Sequence, residues 1–176
     1  WTDLDISAVL GVDVELIQSL RVFNDRLYIG TRVHVGNVRY ARVYYYNGTN
    51  FVEDFSAPGQ WGFSGIEDLA IHNNVLYAAN GCRAGEVYQR NGDGAWITLG
   101  GGAVETNSPV NALSSYNGSL FAGTGTYTNQ AKVWRWTGTG WVLVKNLTSD
   151  FGVNDDGVAS LVSEGGKLYA SMAGPG

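Results

Sequence analysis

One cysteine, two histidines and three prolines among 176 residues remove several classes of protein at once. With Cys82 alone, no disulfide can form within the chain. His34 and His72 have no Cys, His or carboxylate neighbours at the spacing of a zinc site. Basic residues are also scarce: 11 Lys and Arg against 16 Asp and Glu give a formal charge of −5. A phosphate backbone would meet net repulsion, so nucleic acid is not the expected partner. No apolar run reaches the ~20 residues that a membrane-spanning helix needs. The chain has no G-x-S-x-G nucleophile elbow, and Gly100-Gly101-Gly102 does not open a helix after a strand as a phosphate loop would. No motif calls for a cofactor, and none marks an enzyme.

What is abundant is glycine and aromatic side chain: 25 Gly, 10 Tyr and 6 Trp. That mixture suits many short strands joined by tight turns and predicts an all-β fold. A repeat supports it. An aliphatic residue, a Leu three positions on, and a Leu-aromatic pair seven and eight positions later recur four times. The copies are Ile17, Leu20, Leu27 and Tyr28; Ile66, Leu69, Leu76 and Tyr77; Val110, Leu113, Leu120 and Phe121; and Val158, Leu161, Leu168 and Tyr169. Between the halves stand Asn24-Asp25, Asn73-Asn74, Asn117-Gly118 and Gly165-Gly166, residues that tolerate the positive φ of two-residue hairpin turns. These halves are strands A and B. A second unit, valine plus aromatic, then a glycine turn, then another aromatic, supplies strands C and D at Val43-Tyr44 to Phe51, Val87-Tyr88 to Trp96, and Val133-Trp134 to Trp141.

Four strands per period, at a period within the ~40–50 residues of a propeller blade, predict a β-propeller of four-stranded antiparallel blades. The expected division is residues 1–16 as strand D of a preceding blade, with Trp1 its aromatic, then whole blades at 17–65, 66–109 and 110–157, and strands A and B of an incomplete blade at 158–176. Hairpins such as Asn117-Gly118-Ser119-Leu120-Phe121-Ala122-Gly123, followed by an aromatic strand and a Trp, resemble kelch repeats. Where kelch blades carry a double glycine, this chain reads Gly30-Thr31, Ala79-Asn80, Gly123-Thr124 and Ser171-Met172. The resemblance therefore implies the propeller architecture and nothing about a ligand.

Functional residues are expected on the face that carries the B–C and D–A connections, where segments such as 32–41, 54–65 and 146–157 read as long loops. Trp61 and Phe63 in a glycine-rich loop, with Arg32, His34, Arg83 and Tyr127, are the candidates for stacking on a sugar or meeting another protein. Gln18, Glu67 and Asn111 share one repeat position at the start of strand A, and with Asp68 they predict a polar channel rim. Asn154, Asp155 and Asp156 are oxygen-rich enough for a cation but lack the spacing of an EF-hand loop. The leading expectation is a non-enzymatic recognition module at a cell or particle surface that binds glycan or protein. The alternative is an assembly protein whose incomplete blades pair with other copies or with the rest of a longer chain. Third comes a propeller glycosidase or lyase, which needs Glu67, Asp68, Glu105 or Asp155 to converge in one cleft.

Overall fold

The chain is all-β. Its computed structural model describes residues 10, 12–57, 64–126, 129–151 and 157–173. Fourteen strands are found among them: β1 (Asp13–Phe23), β2 (Arg26–Val35), β3 (Val38–Tyr46), β4 (Phe51–Ser56), β5 (Ile66–His72), β6 (Val75–Asn80), β7 (Val87–Arg90), β8 (Trp96–Thr98), β9 (Val110–Tyr116), β10 (Ser119–Thr126), β11 (Asn129–Trp136), β12 (Trp141–Asn146), β13 (Val158–Glu164) and β14 (Lys167–Met172). A 3-10 turn at Leu99–Gly101 and the short helix α1 (Leu147–Phe151) interrupt them. They form three four-stranded antiparallel sheets in meander order, β1 to β4, β5 to β8 and β9 to β12, and a two-stranded sheet, β13 with β14. We call these the first to fourth sheets.

The A–B turns are built as their residues dictate. Asn24, Asp25, Asn73, Asn74, Asn117, Gly118, Gly165 and Gly166 all have φ between +46° and +72°, the conformation in which a two-residue turn follows the twist of its strands. Strand positions also follow the repeat: each Leu-aromatic pair lies in the second strand of its sheet, and each valine-aromatic pair in the third. Two details differ from the sequence reading. β1 begins at Asp13, so residues 13–16 belong to the first sheet and not to a preceding unit. Segment 32–41 is no long loop, because Val35 pairs with Val38 across a two-residue turn in which Gly36 has φ +62°.

Successive sheets pack face to face. Tyr28, Val43 and Ala41 of the first sheet enclose Ile66, Leu69 and Leu76 of the second. Val87, Tyr77 and Ala79 of the second meet Val110, Leu113 and Leu120 of the third. Ala112, Ala131 and Val133 of the third meet Val158 and Leu161 of the fourth. Each seam therefore takes the strand B aromatic from one sheet and the strand A leucine from the next, and each fully buried leucine contributes roughly 1.5–3 kcal/mol of hydrophobic stabilisation.

Charge enters one seam under control. In β4 the residue between Glu53 and Phe55 has no partner in the ladder with β3, and this bulge aims Asp54 at the second sheet. There Asp54 accepts hydrogen bonds from Arg90 Nε at 2.8 Å and Nη2 at 3.1 Å, and from Trp96 Nε1 at 2.7 Å. Every partner of this nearly buried carboxylate is in place, which is the condition under which a buried ion pair is tolerated.

Candidate functional site

A bulge recurs near the start of every first strand. The ladder skips between Ile17 and Ser19, between Ile66 and Asp68, between Val110 and Ala112, and between Val158 and Ser160. The residues left unpaired are Gln18, Glu67, Asn111 and Ala159. A bulge re-aims its side chain, and here it turns three polar groups towards neighbouring sheets. Gln18 Nε2 donates to Glu67 Oε2, and Arg32 Nη2 lies 3.5 Å from Glu67 Oε1. Gly81 leaves the room for this carboxylate, since a Cβ there would stand 2.2 Å from Glu67 Oε1. Asn111 Nδ2 donates to Gly125 O at 3.1 Å and to Val158 O on the fourth sheet at 3.2 Å.

Asp68 reaches the opposite way from Glu67. It accepts the backbone N–H of Leu113 on the third sheet at 2.8 Å and that of Leu69 at 2.8 Å, with Arg21 Nη2 at 3.8 Å. Burial pushes both carboxyls above the ordinary carboxylate range. For Glu67 this outweighs the hydrogen bond of Gln18 and the charge of Arg32. For Asp68 it outweighs the Leu113 hydrogen bond, the Arg21 charge and the Leu69 hydrogen bond. Gln18, Glu67, Asp68 and Asn111 are thus ties between sheets, each with its own partners. Glu105 is engaged elsewhere: Thr124 Oγ1 donates to its Oε2 at 2.8 Å, Lys132 pairs with its Oε1, and Trp134 Nε1 donates to Thr124 Oγ1 at 3.0 Å.

Of the loop-face candidates, Arg32 is a correction. It lies within β2, almost wholly buried, and its guanidinium is committed to Glu67. His34 is also a β2 residue, with Nδ1 3.9 Å from Asp13 Oδ2. Arg83 is exposed in the connection between β6 and β7. Trp61, Phe63, Tyr127, Asn154, Asp155, Asp156 and Trp1 lie outside the described residues. Among the described residues no three His, Cys, Asp or Glu side chains gather as a metal site would require, and no helix is long and apolar enough to cross a membrane.

One other pair has the look of chemistry. His72 Nδ1 lies 2.9 Å from Ser115 Oγ, and Asn73 Nδ2 lies 3.1 Å from His72 Nε2. An Asn73 amide donating to Nε2 leaves the proton of the neutral ring on Nδ1, where it is donated to Ser115 and cannot activate that hydroxyl as a base would. Burial lowers the His72 pKa and favours this neutral form. The pair closes a seam.

The largest departure from a sealed structure is at the two ends of the row of sheets. Leu69, Leu113 and Leu161 are 0%, 3% and 6% exposed, but Leu20 at the same repeat position is 60% exposed. Tyr28 and Tyr77 are 2% and 7% exposed, but Tyr169 is 54% exposed. Ile17 and Val22 stand in solvent beside Leu20, and Val162 beside Tyr169. Val22, Leu27, Tyr46 and Asn47 also line a shallow groove of about 500 Å³ on the first sheet. No local sequence signal separates these residues from their buried equivalents; the repeat alignment with its missing neighbour is the only cue. No protein-family model matches the chain, and a search of curated proteins finds no relative.

Proposed function

We propose that this chain is a kelch-like propeller repeat array that works as a non-enzymatic interaction module, docking protein on the uncovered faces of its end sheets. Support for the architecture comes from the meander order within sheets and from first strands that lie side by side, tied by Ser19 Oγ to Ile66 O, Arg21 Nε to Leu69 O and Asp68 to the Leu113 N–H. The docking reading is carried by one observation, the apolar band of Ile17, Leu20 and Val22 on β1, exposed by 45% to 65%. Such contiguous apolar surface marks an interaction site on a soluble fold. Protein is favoured over glycan because the band is aliphatic and offers no ring to stack on a sugar.

A hydrophobic dye and a glycan array together test this. The wild-type chain is expected to enhance the fluorescence of anilinonaphthalene sulfonate, Leu20→Glu combined with Val22→Glu to lose most of that enhancement, and the array to stay blank. Absence of dye binding overturns the docking reading. So does saturable binding of a glycan that survives the double substitution but not Arg83→Ala.

A further inference from the structure

We propose that the occupant of the open face on the first sheet is the fourth sheet of a second copy, so that chains associate head to tail. This rests on the reading that the end faces dock protein, and it names the partner. The three seams inside the chain are the template. In each, the forward face of one sheet offers a strand B aromatic and, two residues on, a small residue that receives the first aliphatic side chain of the next sheet. Those small residues are Gly30, Ala79 and Gly123. A Cβ on Gly30 would lie 2.6 Å from Ile66 Cγ2, and one on Gly123 would lie 2.5 Å from Val158 Cγ1.

The fourth sheet carries the part of that forward face that strands A and B supply, and carries it exposed: Tyr169 as the aromatic, Ser171 as the small residue, and Val162 paired across the strands with Tyr169. The first sheet carries the matching backward residues: Ile17 and Leu20 stand exposed where Ile66 and Leu69 are sealed, and Leu27, at the place of the sealed Leu76, is half-buried. A polar tie is repeated too. Ser19 Oγ donates to Ile66 O at 3.4 Å, and Ser160 occupies the place of Ser19, so its hydroxyl faces the carbonyl of Ile17 on the second copy.

Both faces are also narrow. On the first sheet Leu10, Val12, Val14, Leu27 and Tyr46 already pack against Ile29, Val33, Tyr44 and Phe51, which leaves open Ile17, Leu20 and Val22 of β1. The fourth sheet has two strands among the described residues. Within one chain the two faces do not cover each other, since Leu20, Val22, Val162 and Tyr169 all remain more than half exposed. A face and its complement at opposite ends make a heterologous contact, which extends from copy to copy unless the rotation closes a ring. The contact would use only the two strands of the fourth sheet and the exposed side chains of β1, so association is expected to be weak and to rise with concentration.

Sedimentation velocity over a concentration series, with two single-face variants, tests the proposal. Wild type is expected to shift from monomer to dimer and longer species. Leu20→Glu and Tyr169→Glu, both at exposed positions and checked for unchanged thermal melting, each lower association by more than about tenfold. Mixed one to one, they form dimers that do not grow, because each supplies the face the other lacks. In the doubly substituted chain Ile17→Cys with Ser171→Cys, oxidation yields a ladder of covalent oligomers. A wild-type monomer at every concentration overturns the inference. So does association lost in only one of the two variants, or an oxidised product that stays monomeric through self-closure. If dye binding that depends on Leu20 persists in a chain that never associates, the partner is wrong and the docking reading stands; if that dye binding is also absent, both fail.

Discussion

Leu69 and Leu20 occupy the same place in two equivalent hairpins, yet the first is sealed between two sheets and the second stands in water. The flanking strands, the turn chemistry and the bulge beside them are alike. The difference lies wholly in whether another sheet is present on that side. It teaches that the repeat encodes two complementary half-seams, one led by leucine and one by an aromatic, and that burial is conferred only when the halves meet. Inner seams and outer faces are therefore the same surface in two states, and substitutions at matched positions distinguish them.

The largest contrast is expected at the leucines. Leu69→Ala removes a fully buried side chain and leaves a cavity, at a cost of about 2–5 kcal/mol. Leu20→Ala, measured in dilute solution, is expected to change stability by less than about 0.5 kcal/mol. Urea denaturation of both variants checks this; equal losses would mean that Leu20 is covered in the isolated chain. A smaller contrast is expected at the residue two places after the strand B aromatic. Gly123→Ala drives a methyl into Val158 and is expected to cost about 1–3 kcal/mol through overpacking. Ser171→Ala, at the matched position of the open face, should be close to neutral in a thermal melt. If Gly123→Ala were neutral as well, the third and fourth sheets would not be in the close contact described.

The same contrast explains what was legible in the sequence. Turn residues and Leu-aromatic pairs act locally, so Asn24-Asp25, Asn73-Asn74, Asn117-Gly118 and Gly165-Gly166 announced their hairpins and fixed where the strands lie. Arg32 misled, because a charged residue near a glycine reads as a loop until its partner Glu67 appears, and that partner lies on another sheet. Asp54 with Arg90 and Trp96, which meet across a seam, and Glu105 with Thr124 and Lys132, where a connecting segment meets two strands, escape sequence reading for the same reason: no spacing rule connects side chains so far apart in the chain. The bulges that aim Gln18, Glu67, Asn111 and Asp54 are register events between strands, and they leave no mark on one strand read alone. The repeat aligns Gln18, Glu67 and Asn111 at one position, but that they tie sheet to sheet does not follow from the alignment, because it depends on which neighbour each side chain reaches.

The smallest expected effect separates seam carboxylates from one at the sheet edge. Burial raises Glu67 and Asp68, so between the ordinary carboxylate range and their raised values the folded chain holds protons that the unfolded chain releases. Their contribution to stability is present at low pH and is lost as pH rises through the raised values. Glu15, on the outermost strand of the first sheet, is shifted the other way, chiefly by its hydrogen bond from Arg39 Nε at 2.8 Å. Its contribution is present above the ordinary range and is lost as pH falls through the lowered value. Urea midpoints taken from about pH 3 to pH 8 should therefore decline on the neutral side because of the seam pair and on the acid side because of Glu15. Asp68→Asn is expected to flatten the decline towards neutrality and leave the acid side alone, while Glu15→Gln does the reverse. Were Asp68→Asn to leave the neutral slope unchanged, the seam would be open enough to water for its carboxylate to ionise as it does in the unfolded chain, and the distinction between sealed seam and bare face would fail at Asp68.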